Sequence, residues 1–213
     1  MKIFQNLKSI WLVELKKRNF RNRLLITLVL LALILYFLAT FLAYNESRQG
    51  FSFNDPLLNS FSPVDVTWLT FGLIYVALII AVLTLSFHPE DLLLAVQSYA
   101  IIAALRLITI YFLPLNAPPT IIPLKDPFVE FFGGGSTLLR DLFFSGHTST
   151  MFLFYLTVRR KGLKWIFLIC TILVAVCVLI QHVHYTIDVV AAPFFAYTSY
   201  RIAYLFNSRL KNS

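Results

Sequence analysis

Two histidines and a carboxylate in apolar surroundings are the residues of this chain best suited to chemistry: Ser145-Gly146-His147-Thr148 and, 37 residues after His147, His184-Tyr185-Thr186-Ile187-Asp188. His184 and Asp188 are four apart, so on a helix they share a face and the carboxylate can accept a hydrogen bond from one imidazole nitrogen. The other nitrogen is then left basic, as a nucleophile toward phosphorus or as a general base. His147 follows Ser145-Gly146, a cap-like pair at which a helix can begin and turn free backbone N–H groups toward a phosphate. Phosphoryl transfer needs one group to attack and another to protonate the departing oxygen, and two imidazoles can divide those roles. The residues alone do not decide which histidine attacks, and a buried polar pair tying two helices together is the structural alternative.

Three cations, Arg106, Arg140 and Lys125, could neutralise a phosphodiester and the charge of its transition state. Arg106 lies inside an apolar run, where insertion costs at least about 2.5 kcal/mol, so an anionic partner is expected. That partner is a phosphate or, alternatively, an internal carboxylate such as Asp141. Lys125 and Arg140 read equally well as solvated loop charges. Ser145, Gly146 and Tyr185 complete the candidate headgroup-binding set. His182 and His184 form a His-x-His pair, but no carboxylate or cysteine cluster completes a zinc shell, so neither metal nor cofactor is expected. Gly133-Gly134-Gly135 lacks the Lys-Ser/Thr of a P-loop and reads as a turn. Cys170 and Cys177, about two helical turns apart, are too distant for a disulfide and read as packing residues.

These groups must be positioned by membrane helices. The 213 residues are 59% hydrophobic and 13% charged, with mean hydropathy +0.77, far too apolar for a soluble domain. Apolar runs at 25 to 43, 66 to 87, 93 to 115, 138 to 158, 165 to 181 and 184 to 206 predict an all-α, polytopic membrane protein of six transmembrane helices. Ahead of them, Ile3, Phe4, Leu7, Ile10, Trp11 and Leu15 at helical spacing among lysines predict an amphipathic interfacial helix. The domain reading is therefore 1–24 for the interfacial helix, 25–207 for a six-helix catalytic domain and 208–213 for a cytoplasmic tail.

The formal net charge of +8 would suggest nucleic acid in a soluble chain, but its distribution points to anionic lipid instead. With both termini cytoplasmic, 14 of the 18 Lys and Arg fall on the inner side. The exceptions are Arg48, Arg106, Lys125 and Arg140. Helix rise puts His147 roughly 18 Å above Arg159, His184 roughly 25 Å above Arg201 and Arg106 roughly 22 Å above Asp91. Groups from three helices thus converge in the outer, extracytoplasmic or lumenal half of the bilayer, as a site for a lipid headgroup requires.

Three segments resemble motifs of the C-terminal membrane domain of sphingomyelin synthases, within the type-2 phosphatidic acid phosphatase superfamily. Asp141 to Thr148 is similar to the Ser-Gly-His-Thr motif, His182 to Val189 to the His-x-His-Tyr-Thr-x-Asp-Val motif, and Arg106 to Thr109 with Leu113-Pro114 to the Arg-x-x-Thr segment. Together they cover about residues 66 to 206. The resemblance implies a six-span fold and transfer of a phosphate-containing headgroup from a glycerophospholipid to a lipid alcohol such as ceramide. It also implies His184 as the nucleophile, Asp188 as its orienter and His147 as the acid and then the base. The broader phosphatases carry a Lys-x6-Arg-Pro motif not found here, and an arginine where this chain has Val178; both differences favour the synthase-like branch. Leu139-Arg140 replaces the Cys-Gly of eukaryotic synthases, which leaves substrate choice open.

The partners expected are a phospholipid donor, a lipid acceptor and the membrane, without nucleic acid; a homo-oligomer is compatible with the sequence. Two rival functions remain. A lipid phosphate phosphatase or phospholipase C-like hydrolase would use the same histidines with water as acceptor, and a non-catalytic lipid-binding protein would keep them for structure.

Overall fold

The structure, a computed structural model, describes residues 2–125 and 138–212. The glycine run 133–135, expected to turn, lies outside them. The described residues form seven α-helices: α1 Lys2–Lys16, α2 Arg18–Asn45, α3 Thr67–Ser86, α4 Pro89–Phe112, α5 Gly146–Thr157, α6 Lys161–Ile180 and α7 Thr186–Asn212. A 3-10 turn at Leu58–Ser60 interrupts the α2–α3 connection. By length and composition α2, α3, α4 and α6 can each cross a membrane, and the chain is a helical membrane protein.

The six expected spans differ from this at two places. The run 138 to 158 is helical only over Gly146–Thr157, 12 residues, about 18 Å against a core of about 30 Å. Helix α7 is long enough at 27 residues, but Asp188, Thr198, Ser199, Arg201 and Asn207 make it too polar to qualify on composition. The first break also falls earlier than residue 24: Lys17 is extended (φ −73°, ψ 112°), and α2 runs unbroken from Arg18.

At that elbow α1 turns a stripe of Leu7, Ile10, Trp11 and Leu15 toward the bundle and leaves Lys8 and Lys16 exposed. The Trp11 indole donates to the Ser86 carbonyl (2.9 Å) and meets the edge of Phe20. The same end gathers the start of α2, the end of α3, the start of α4 and the end of α7. Arg23 donates to Glu90 (2.6 Å) and Asn207 (2.8 Å), Asn207 donates to Gln97, Gln97 donates to Thr27 (3.2 Å), and Arg159 pairs with Asp91. Arg23 and Arg159 thus lie at one end of an up-and-down bundle.

Helix α5 is short because it is the buried centre of that bundle. Met151 and Phe154 pack with Ala77 and Ala81 of α3, Phe167, Val174 and Val178 of α6 and Val189 of α7. On its other side, Leu153 meets Ile102 of α4 and Ala192 and Ala196 of α7. The alanines let helices approach closely where no hydrophobic effect drives association in lipid. A third cluster, Leu58, Leu115, Leu142 and Tyr185, seals the opposite end from Arg23.

Arg23 is 7% exposed and its fork ties α2 to α4 and α7. Truncation removes the guanidinium that pairs with the half-buried Glu90 carboxylate, a loss of about 1–3 kcal/mol once solvent screening is allowed for. Arg23→Ala is expected to lower the thermal unfolding midpoint in detergent, and Arg23→Lys, lacking the planar fork, to recover only part of it.

Candidate active site

Residues 138–145 run into α5 as non-helical chain at the depth of neighbouring helices, and such backbone persists only where protein satisfies its polar groups. Each satisfying contact is long-range. Glu46 accepts from the N–H groups of Leu139 (2.9 Å) and Arg140 (2.7 Å), while Asn45 donates to the Arg140 carbonyl (3.0 Å). Thr109 donates to the Phe143 carbonyl (3.2 Å), and Arg106 donates to the Phe144 carbonyl. The Ser145 N–H donates to the carbonyl of Asp188 (3.0 Å). That last bond joins the start of α5 to the first turn of α7, and so brings the two histidine segments together.

Ser145 is the N-cap of α5: its hydroxyl accepts from the Thr148 N–H (3.4 Å) and pairs with the Thr148 hydroxyl (3.0 Å). His147 follows, half-buried in the first turn. On the facing element His184 is 2% and Asp188 0% exposed, and His184 Nδ1 lies 3.5 Å from Asp188 Oδ2. The distance is that of an ion pair, but the angle does not make a hydrogen bond. Both His184 Nδ1 and Asp188 Oδ1 are buried without hydrogen-bond partners among the described residues. Asp188 Oδ2 instead accepts from the Tyr185 N–H (3.0 Å), which holds the carboxylate beneath the imidazole. A ring rotation that closed this pair would give Nδ1 a partner in Oδ2, leaving Nε2 as the nitrogen away from the carboxylate.

Arg106 has the internal partner. Its guanidinium, 6% exposed, is paired with Asp141 as well as with the Phe144 carbonyl. It also lies against Gly146, where an added Cβ would come 2.9 Å from Nη1 and 3.0 Å from Cζ. In this structure Arg106 holds the strand entering α5, and its donors face protein. Tyr185 is likewise engaged, its hydroxyl donating to the Asn116 carbonyl (3.1 Å) and its ring edge-on to Phe53. The Arg140 side chain is half-buried and Lys125 is exposed at the same end. Neither is joined to the histidines by a hydrogen bond or ion pair among the described residues. Those residues hold no cluster of three His, Cys, Asp or Glu side chains suited to a metal ion.

Several positioning residues escaped sequence reasoning. Asp55 accepts from the Thr186 N–H (2.7 Å) and hydroxyl (3.0 Å) and caps the start of α7 from 131 residues away; the turn-forming Asn54-Asp55-Pro56 was its only local signal. Gln181, fully buried, accepts from the Val66 N–H (3.2 Å) and donates to Thr67 (2.8 Å) and to the Ile122 carbonyl (3.2 Å). Burial pushes the Asp55 carboxyl up, but the bonds from Thr186, Leu58 and Leu57 outweigh it and hold its pKa below the ordinary value. Burial lowers the pKa of His182 against the opposing pull of the Asp55 charge.

A family model described as PAP2 superfamily C-terminal matches residues 140–205, from Arg140 through both histidine motifs. Residues 140–205 are thus similar to that family. Over 65 residues it is 43% identical to phosphatidylcholine:ceramide cholinephosphotransferase 2 of Homo sapiens, a stretch covering 28% of this chain and 18% of that protein. Identity to the Macaca fascicularis protein of the same name is 42% over an equal stretch, and to that of Mus musculus 38%. The match thus spans under a fifth of the length of these relatives. The PAP2 C-terminal match contains Ser145 to His147, His184 and Asp188 but neither Arg106 nor Lys125, so it is narrower than the 66 to 206 that the sequence motifs covered.

Two expectations follow from this geometry. Gly146→Ala drives a methyl group into Arg106 and should lose about 1–3 kcal/mol, as overpacking does. Gly72→Ala and Gly162→Ala, with nothing within 4 Å of the added carbon, should be neutral or slightly stabilising in the same thermal assay. The second concerns pH. A histidine whose folded pKa lies below its unfolded value stays neutral while the unfolded chain protonates, so stability is lost as pH falls below about 6.5. The unfolding midpoint should drop across that range, and His182→Asn should remove that component. The contribution of Asp55, with its lowered pKa, is lost only at more acidic pH.

Proposed function

We propose that the chain is a lipid phosphotransferase that moves a phosphate-containing headgroup from a glycerophospholipid to a lipid alcohol, ceramide or a diacylglycerol-like alcohol. The coarser class, a lipid phosphotransferase or phosphatase, follows from the PAP2 C-terminal match and the similarity to a phosphatidylcholine:ceramide cholinephosphotransferase. The Ser145 N–H bond to the Asp188 carbonyl carries the mechanism, because it sets both histidine segments at one point.

In this reading Nε2 of His184 attacks phosphorus while Asp188 holds the ring through Nδ1 and stabilises its positive charge. The bond from phosphorus to the diacylglycerol oxygen breaks, and protonated His147 donates its proton to that oxygen. The acceptor hydroxyl then attacks the phosphorus, His147 takes its proton, and the phosphorus–nitrogen bond breaks. Backbone N–H groups at the start of α5, with Arg140 and Lys125 nearby, supply the electrostatic partners for phosphate. Six helices cross the bilayer, α5 being completed by the part-buried 138–145 segment. Helix α1 lies on the cytoplasmic surface with both termini on that side, and the site faces the extracytoplasmic leaflet.

A lipid acceptor is favoured over water by the near-complete burial of His184 and Asp188. Val178 supports the same choice, since it packs in the apolar cluster with Val174 and Phe167 where phosphatases place an arginine.

Purified protein in vesicles with a headgroup-labelled phospholipid is expected to form a labelled product lipid only when an acceptor lipid is added. Soluble headgroup or phosphate appearing regardless of acceptor would assign hydrolysis instead. Donor alone should leave an acid-labile label on the protein. His184→Ala should abolish both label and turnover while the protein stays folded; turnover surviving that change would refute the mechanism.

A further inference from the structure

The turn between α6 and α7 contains a histidine that this reaction does not use. His182 has φ 54°, the one non-glycine residue with positive φ among the described residues. Its N–H donates to the Leu179 carbonyl and the Val183 N–H donates to the Val178 carbonyl, both at 2.9 Å. These are the paired bonds of a Schellman motif, and His182 occupies the position where glycine is usual because a β-carbon costs roughly 1 kcal/mol there. A histidine is a poor backbone choice at this point, so its side chain must contribute something glycine cannot.

That side chain is 1% exposed. Its Nδ1 lies 2.6 Å from the Thr120 hydroxyl, its ring meets Phe61 edge-on at 5.0 Å, and its Nε2 is buried without a partner among the described residues. Thr120 belongs to the segment after α4, which returns to the same turn through the Ile122 N–H and the Gln181 carbonyl (3.1 Å). Phe61 belongs to the α2–α3 connection, whose Asp55 caps α7 at Thr186. One imidazole thus fastens both connections to the turn two residues before His184.

We propose that His182 is a positioning residue: it pins the segments carrying Thr120 and Phe61 to the α6–α7 turn, so that the turn presents the His184 ring in a single orientation. The inference rests on His184 as the reacting group. The neutral ring is the form that fits, in keeping with its lowered pKa.

The decisive variant is His182→Gly, which relieves the backbone and removes the ring. If His182 only ended a helix, this change would be silent or stabilising. The expected result is an unfolding midpoint within about 4 °C of the parent or above it, a KM for the phospholipid within about twofold, and a kcat lower by roughly 10- to 100-fold, the scale of a small misplacement. His182→Asn, which tolerates positive φ and can still bond Thr120, should recover part of the rate. Parent-like kcat in His182→Gly overturns the proposal. Should that variant fail to fold, Thr120→Val carries the test with His182 in place, and parent-like kcat there overturns it. Isotope-labelled histidine NMR in micelles gives a readout free of turnover: the His184 ring signals should move in both variants, and unchanged signals overturn the proposal. A parent protein inactive toward all phospholipids would refute the reaction proposed above, while the His184 signals would still decide its positioning.

Discussion

A single backbone hydrogen bond, from the Ser145 N–H to the Asp188 carbonyl, holds the two histidine-bearing segments of this bundle together. It is short-range in space and long-range in sequence, so it forms only once the start of α5 and the first turn of α7 have come together. Around it the chain leaves helical geometry for eight residues, and side chains from other elements take up its backbone groups. The contacts that replace water come from α2 (Asn45), the residue after it (Glu46) and α4 (Arg106, Thr109). An unsatisfied amide in hydrocarbon costs several kcal/mol, so these side chains are as necessary to the site as the histidines.

The two ends of the bundle solve different problems. At the basic end, Arg23, Glu90, Gln97 and Asn207 form a continuous polar network across α2, α4 and α7. The other end relies on capping: Ser145 at α5, Asp55 at α7 and Gln181 beside the start of α3. The starts of α3, α5 and α7 lie at that end, so their N–H donors and positive dipole ends gather there. Burial of His184 and Asp188 adds a dry setting in which each remaining dipole acts more strongly.

Much of this was legible in residue spacing, and the remainder was hidden for identifiable reasons. The i, i+4 relation of His184 and Asp188 and the cap-like Ser145-Gly146 are local, so they could be read directly. The basic residues around α1, α2 and α6 revealed which helix ends lie together. Hydropathy could not show that 138 to 158 contains only a 12-residue helix, because a buried non-helical segment rich in Leu and Phe has the composition of a span. Nor could it reveal Asp55, Glu46 or Gln181, whose partners lie 131, 93 and 115 residues away. His182 was read as half of a metal-like pair and as the first residue of a motif, with no role of its own; its backbone conformation, not its type, marks it out.

Arg106 is the residue whose meaning changes most. An arginine within an apolar run demands an anion, and a phosphodiester was one candidate. The structure supplies Asp141 and a carbonyl instead, so the pair carries no net charge and its donors face protein. Gly146 accounts for the arrangement: only a residue without Cβ lets the guanidinium lie against the first turn of α5. A guanidinium fixed in this way orders the start of that helix, and with it the position of His147, more firmly than a lysine could, because its planar fork engages a carboxylate and a carbonyl at once. In the reaction proposed above, neutralising a bound phosphate would fall to the helix start itself and to Arg140 and Lys125 at the same end, while Arg106 holds the protein.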